Sequence, residues 1–236
     1  MKRIILFLLV SLLAFTGCSD KLDPEDPASI RRWLDKNDIG FDAGTFINYA
    51  AKSDTAMTNL FLKANFQINS ADARGNTAVA LCANKNQPNM VAYLLEAGAD
   101  PNLKNSKGMS SLVDAASLGH AEVVELIIEH IKKKDPELLS VDEALQMAAR
   151  QGFVEIVKIM VEAGAPIDSK SGEGWTSLAW AAKEGYFDVV EYLISKGADV
   201  NVPDAEGYTA LDWAKNEGYT RIINIIRRSG GKGKLR

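Results

Sequence analysis

The chain has 236 residues, 47% of them hydrophobic, and a formal net charge of −4 at pH 7. That balance excludes a disordered chain, which would be less apolar, and a nucleic-acid binder, which would be strongly basic. The length suits one large domain or two small ones unless the sequence repeats.

Met1-Lys2-Arg3 places positive charge ahead of residues 4–15, an apolar run broken only by Ser11. A helix of that length spans about 18 Å, short of the ~30 Å hydrocarbon core, so residues 1–17 read as a signal peptide rather than a membrane span. Phe15-Thr16-Gly17-Cys18-Ser19 then resembles the lipobox of bacterial lipoproteins, with Phe15 where Leu is usual. The resemblance implies that Cys18 becomes a lipidated N-terminus. It also implies that Ser19, where Asp would retain the protein at the inner membrane, lets it pass to the outer membrane facing the periplasm. The alternative is an ordinary signal peptide with Cys18 as a bystander, giving a secreted protein. With Cys18 lipidated, Cys82 is the remaining thiol and no internal disulfide can form. Cys82 fits a buried small hydrophobe better than a nucleophile.

Residues 18–26, with Pro24 among acids, are expected to form a flexible tether. Residues 27–40 follow as an N-terminal capping helix, with Ile30, Trp33 and Leu34 covering the first repeat.

From residue 41 to 231 the chain repeats. Gly98-Ala99-Asp100-Pro101-Asn102, Gly164-Ala165-Pro166-Ile167-Asp168 and Gly197-Ala198-Asp199-Val200-Asn201 share a pattern, with a weaker copy at Asn65–Asn69. Their last residues, 69, 102, 168 and 201, leave room for a hidden copy at Asp135, so the period is 33. Eight residues after each comes Thr77, Ser110, Glu143, Thr176 or Thr209, and small pairs such as Cys82-Ala83 and Ala181-Ala182 follow. The Thr is expected to cap a short first helix with its hydroxyl. The small pair lets neighbouring helices approach, and Gly185 ends the helix by taking left-handed dihedrals. A second helix follows, with Val189, Val190, Leu193 and Ile194 forming its apolar stripe. Turns such as Asp72-Ala-Arg-Gly75, Asn105-Ser-Lys-Gly108 and Asp204-Ala-Glu-Gly207 return the chain.

Helix, turn, helix and hairpin in 33 residues resembles the ankyrin repeat. The resemblance implies an all-α solenoid of about six helix-turn-helix repeats with short hairpin loops. The family's T-P-L-H tetrad is replaced by Thr77-Ala-Val-Ala80, Thr176-Ser-Leu-Ala179 and Thr209-Ala-Leu-Asp212, so lower stability than a consensus array is expected. Two repeats are irregular. The first, starting at Thr45, is one residue short in its inter-helix turn. The fourth replaces the hairpin with residues 131–141, where the second helix is expected to run on through Lys132, Lys133 and Lys134 before Pro136. Residues 232–236 are a basic tail, expected to fray.

Candidate chemistry is thin. His120 and His130 lie on different elements without cysteine partners, so no metal site is expected. No Gly-x-Ser-x-Gly elbow is present, and Gly172-Glu-Gly174 lacks the third glycine of a dinucleotide loop. No catalytic residue, cofactor or nucleic-acid partner is therefore assigned. The three lysines fit a solvated helix end, with contact to anionic lipid headgroups as the sharper alternative.

Ankyrin proteins bind partners through hairpin tips and first helices, and the resemblance carries that role onto Arg74, Asn76, Lys107, Met109, Glu173, Trp175, Trp180, Glu206, Tyr208 and Trp213. Trp175 and Tyr208, each directly after a hairpin Gly, are expected to be exposed. Trp180 and Trp213, on the first helices, can equally pack between repeats. The tips change from basic (Arg74, Lys107) to acidic (Glu173, Glu206), which would orient a partner of opposite gradient. The implied function is a monomeric protein-binding adaptor, held at the envelope by its lipid. The alternatives are an immunity-type inhibitor of a toxin, a hydrolase or a structural spacer.

Overall fold

The structure, a computed structural model, describes residues 22–134 and 141–234. The signal segment 1–17, Cys18, Asp135, Pro136 and residues 235–236 lie outside the described residues. The chain divides into two compact units, Met1–Met109 and Ser110–Arg236. All regular elements among the described residues are helices, as the ankyrin-type repeat requires.

In the first unit, α1 (Pro27–Lys36) starts where the Asp26 carboxylate accepts the Ala28 and Ser29 N–H groups, with Pro27 in the first turn. Ile30 and Leu34, four residues apart, form its buried face. Helices α2 (Ala43–Ala51) and α3 (Thr55–Lys63) form one antiparallel pair, α4 (Ala78–Asn84) and α5 (Pro88–Glu96) the next. α2 packs on α4, and α1 packs on α3 as the outer helix of one pair packs on the outer helix of another. The expected start of α2 at Thr45 is corrected. Asp42 caps it, accepting the Thr45 N–H at 2.9 Å, and Thr45 lies inside the first turn. Phe41, Phe46, Phe61 and Phe66 fill the interior of this pair, with ring centroids 4.9–5.8 Å apart. Cys82 and Ala83 are fully buried.

In the second unit four pairs follow: α6 (Ser111–Ser117) with α7 (Ala121–Lys134), α8 (Asp142–Gln151) with α9 (Val154–Glu162), α10 (Ser177–Glu184) with α11 (Phe187–Ser195), and α12 (Ala210–Glu217) with α13 (Thr220–Arg228). The first helices α6, α8, α10 and α12 stack side by side, and the second helices α7, α9, α11 and α13 form a second layer. The small pairs explain the close stacking: Ala115, Ala116, Ala148, Ala149, Ala181, Ala182 and Ala214 have no exposed surface. Thr176 caps α10 as expected, and Thr209 with Asp212 forms a capping box on α12. Glu143 does not cap α8. That helix begins one residue earlier, after Val141, and has no side-chain cap. α7 does run through the three lysines, fourteen residues against nine for α9, α11 and α13.

One device recurs between neighbouring pairs. Gly152 closes α8 at φ 77°, and a Cβ there would lie 2.4 Å from the Tyr186 ring of the next pair. Gly185 closes α10 at φ 87°, with the Tyr219 ring placed in the same way. Only glycine combines the left-handed dihedral with that approach.

Candidate functional site

Three of the hairpins are each built by one Asx residue, and the one closed by Gly174 by Ser171, whose hydroxyl accepts the Trp175 N–H at 3.2 Å. The Asp72 carboxylate accepts the N–H groups of Arg74 and Asn76 at 2.8 and 2.9 Å, and Gly75 takes the positive φ that closes the turn. Asn105 serves Lys107 and Met109 at 3.0 and 3.1 Å in the same way, and Asp204 serves Glu206 and Tyr208 at 2.9 Å. Neighbouring hairpins are joined by one backbone bond: Ser106 N–H to the Arg74 carbonyl at 2.9 Å, and Ala205 N–H to the Glu173 carbonyl at 3.3 Å. Within each unit the tips therefore form a row of fixed side-chain positions.

Of the ten candidate residues, Arg74, Asn76, Lys107 and Met109 lie on the first unit and the other six on the second. Arg74 and Lys107 are exposed, and Asn76 and Met109 are half-buried. The Asn76 amide is held by Asp72 at 3.2 Å and by the Asn105 amide at 3.4 Å, so it supports the hairpin stack.

The four aromatic residues on the second unit gather into one feature. Trp175 lies face to face on Trp180, centroids 4.2 Å apart, and tilts against Trp213 at 4.5 Å. Tyr208 continues the row 5.4 Å from Trp213. The 33-residue period generates this arrangement. Trp180 and Trp213 occupy the same position on α10 and α12, whose axes are about 8–10 Å apart, and the Trp175 indole fills the gap between them.

The expectation that Trp175 is exposed is thereby corrected. It is 8% exposed, covered on both faces by indoles and approached by Lys183 Nζ, 4.9 Å from its centroid. Tyr208 is 37% exposed, as expected, and Trp180 and Trp213 are half-buried.

Sequence reading missed the cations that flank the rings. The Arg150 guanidinium sits 4.4 Å from the Trp180 centroid, Lys183 Nζ also faces Trp180 and Trp213 at 5.5 and 5.3 Å, and Lys234 Nζ lies 4.1 Å over Tyr208. Each such contact contributes about 0.5–1 kcal/mol at an exposed site. The available signal was Lys183, three residues after Trp180 on one helix face. Asp204 was missed as well: besides building its hairpin, it accepts the Trp213 indole N–H at 3.0 Å and fixes that ring.

Two open grooves border the row. One, of about 470 Å³, is lined by Gln146, Met147, Arg150, Lys170, Glu173 and Trp180 among others. The second, of about 500 Å³, is lined by Glu206, Tyr208, Asp212, Trp213, Lys215 and Asn216. Buried Gln146 donates to the Ser169 carbonyl at 3.1 Å and gives the first groove a fixed floor. The carboxylates of Glu173 and Glu206 are exposed and make no hydrogen bond or ion pair among the described residues. Asp212 differs. Burial pushes its carboxyl up, but hydrogen bonds from Thr209 and the Lys234 N–H, with the Lys215 charge nearby, outweigh that and hold it below the usual range.

Burial pushes the Cys82 thiol up to about 12. Burial, then Lys134 and Lys133, hold His130 below the usual imidazole value. Among the described residues no group of three or more His, Cys, Asp or Glu side chains is placed to hold a metal ion.

The geometry has counterparts in known proteins. The family model for ankyrin repeats in three copies matches residues 26–105, 47–139, 112–204 and 145–233. An ankyrin repeat-containing protein of Treponema pallidum (strain Nichols) is 32% identical over 84 residues, 35% of this chain and 28% of that protein. Ankyrin repeat domain-containing protein 63 of Homo sapiens is 30% identical over 74 residues, 31% of this chain and 20% of that protein. The matches thus span under a third of either relative's length. Among solved structures, the ankyrin repeat protein EF0377 superposes with a TM-score of 0.71 at 28% identity, over 80% of this chain and 99% of that one. An ankyrin repeat domain from Acinetobacter baumannii AYE gives 0.71 at 28% identity, over 79% and 98%. The ankyrin repeat domain of Bcl-3 gives 0.73 at 22% identity, over 81% and 88%, a likeness of fold alone. Such repeats indicate a protein–protein interaction module of a generally non-enzymatic kind. Paired helices, Asx-built hairpins and a family match that runs almost unbroken from residue 26 to 233 lead to one conclusion: this chain belongs to the ankyrin-repeat family.

Proposed function

We propose that the chain is an adaptor of the bacterial envelope that binds one partner protein through the hairpin tips and first helices of its second unit. The observation that carries this reading is the aromatic row Trp180–Trp175–Trp213–Tyr208, rigid at its centre and open at its edge beside two grooves. Rigid aromatics with a polar rim are the commonest anchors of protein interfaces. The grooves carry fixed charges but no cluster suited to general acid–base or nucleophilic chemistry, which favours recognition over catalysis.

The lipid anchor at Cys18 belongs to the same reading and rests on the sequence 15–19. It would tether the repeats to the outer membrane on the periplasmic side. No helix among the described residues is long and apolar enough to cross a membrane. In this reading the chain acts as a monomer.

The test is capture from a detergent-solubilised envelope fraction, followed by mass spectrometry. The wild-type chain should retain a discrete partner. Tyr208→Ala combined with Trp180→Gln should reduce that partner about ten-fold or more while leaving helical circular dichroism unchanged. Undiminished capture by the double variant would sink the choice of face.

A further inference from the structure

Residues 232–234, expected to fray, are instead tied down with Gly230 along the hairpin 204–207. The Asn201 side chain donates to the Gly230 carbonyl at 3.3 Å and accepts the Lys232 N–H at 2.7 Å. Thr209 Oγ1 donates to the Lys232 carbonyl at 2.9 Å, and the Asp212 carboxylate accepts the Lys234 N–H at 2.7 Å. The register is that of a repeat. Asn69 accepts the Asp100 N–H at 2.9 Å, Asp168 accepts the Asp199 N–H at 3.0 Å, and Asn201 accepts the Lys232 N–H across the same 31 residues.

One bond departs from the repeat pattern. At earlier hairpins the carbonyls of Arg74 and Glu173 receive a backbone N–H from the next hairpin. The equivalent carbonyl, Glu206, receives the ammonium of Lys234 at 2.6 Å, and that ammonium also lies over the Tyr208 ring. A lysine side chain thus takes the place that a backbone N–H of the next hairpin takes at the earlier carbonyls. The Glu206 carbonyl and the Tyr208 ring are covered by this one flexible side chain.

We infer that this edge — the Glu206 carbonyl, the Tyr208 ring and the flanking carboxylates — recognises a lysine- or arginine-bearing, glycine-rich segment of the partner, with Lys234 as an internal placeholder that the partner displaces. The inference rests on the adaptor reading of this face. Charge favours it. Most of the face's own cations are engaged: Arg150 and Lys183 on rings, Lys170 on the Pro203 carbonyl, Lys234 on Glu206, and Lys215 facing the Asp212 carboxylate. Glu173 and Glu206, in contrast, present free carboxylates one repeat apart. An incoming cation would gain ring, carbonyl and carboxylate together, whereas an acidic segment would meet two unpaired carboxylates. Gly231 lets this backbone lie close to Ile226 and Gly233 lets it lie close to Asp212, where an added Cβ would come within 2.5 Å of Oδ1, and a partner segment needs the same slimness.

The probe is a fluorescein-labelled peptide of the sequence at 229–236, titrated by fluorescence anisotropy against the full chain and its full-length variant Lys232→Gln/Lys234→Gln. The variant should bind the peptide about ten-fold more tightly than the wild type. Binding should weaken as salt rises and fall about ten-fold with Glu173→Gln/Glu206→Gln added. A peptide with glutamates in place of its lysines and arginine should not bind. Equal binding of the two peptides, or no binding by the variant, would overturn the inference. So would sedimentation showing that the variant's gain comes from pairing with a second copy of the chain. If envelope capture still depends on Tyr208 while these peptides fail, the adaptor reading stands and only the basic-segment inference falls.

Discussion

Replacing Trp175 with Ala separates framework from contact surface. Trp175 is 8% exposed and wedged between Trp180 and Trp213, so it belongs to the interface between two repeats. A buried tryptophan removes about 150–250 Å² from water, which at ~25 cal/mol per Å² amounts to about 4–6 kcal/mol gross. Alanine restores part of that, and Trp→Ala changes in packed interiors cost about 3–5 kcal/mol. Tyr208→Ala, at a ring already 37% exposed, should cost only about 1 kcal/mol. Because each repeat contacts only its neighbours, the Trp175 variant should lose the helices after residue 175 in a separate, earlier transition. Urea unfolding followed by far-ultraviolet circular dichroism, with tryptophan fluorescence as a second probe, measures both effects. A loss below about 1 kcal/mol, or one equal to that of Tyr208→Ala, would refute the claim that Trp175 is structural.

Gly152→Ala should cost at least about 1–2 kcal/mol from its left-handed dihedral, plus the clash with Tyr186. In a thermal-denaturation double-mutant cycle, Tyr186→Ala should return the clash component; strict additivity of the two changes would show that the ring is not the obstacle. Cys82, with its thiol pushed up to about 12 and no exposed surface, should resist a disulfide-exchange reagent at pH 8 in a Cys18→Ser chain until denaturant is added. Rapid labelling of the folded protein would contradict its burial. The Asp212 carboxyl is held below the ordinary 3.8, so its contribution to docking the 230–234 segment is complete above that value and lost as pH falls through the folded pKa. Protection of the Lys232 and Lys234 amides, relative to their intrinsic exchange rates, should therefore fall as pH drops below 3.8 in wild type and be low at all pH values in Asp212→Ala, and pH-independent protection in wild type would exclude that role.

The fold was legible because the 33-residue register fixes helix starts, small pairs and terminal glycines independently, and these agree. It failed where a neighbouring residue type mattered more than the register. The first repeat's helix starts ahead of Thr45 because Asp42 supplies the capping carboxylate. At the Glu143 register position no side chain caps the helix, and α8 begins at Asp142. Trp175 was misjudged because a position directly after the hairpin Gly is open in isolation; three indoles in register cover one another, and only the joint presence of Trp180 and Trp213 reveals it. The segment 230–234 looked like a loose basic tail, yet Gly230 falls 33 residues after Gly197 and continues the repeat register. Of the flanking cations, Arg150 and Lys234 were illegible, since they reach their rings across helix and segment boundaries that the period alone does not place.

Site-specific photo-cross-linking in envelope preparations tests the central claim most directly. A benzophenone amino acid at position 208, on the open end of the aromatic row, is compared with one at position 191, exposed on α11 of the other layer. The account predicts one discrete protein adduct from 208 and none from 191. Adducts only from 191, or an identical pattern from both, would contradict it.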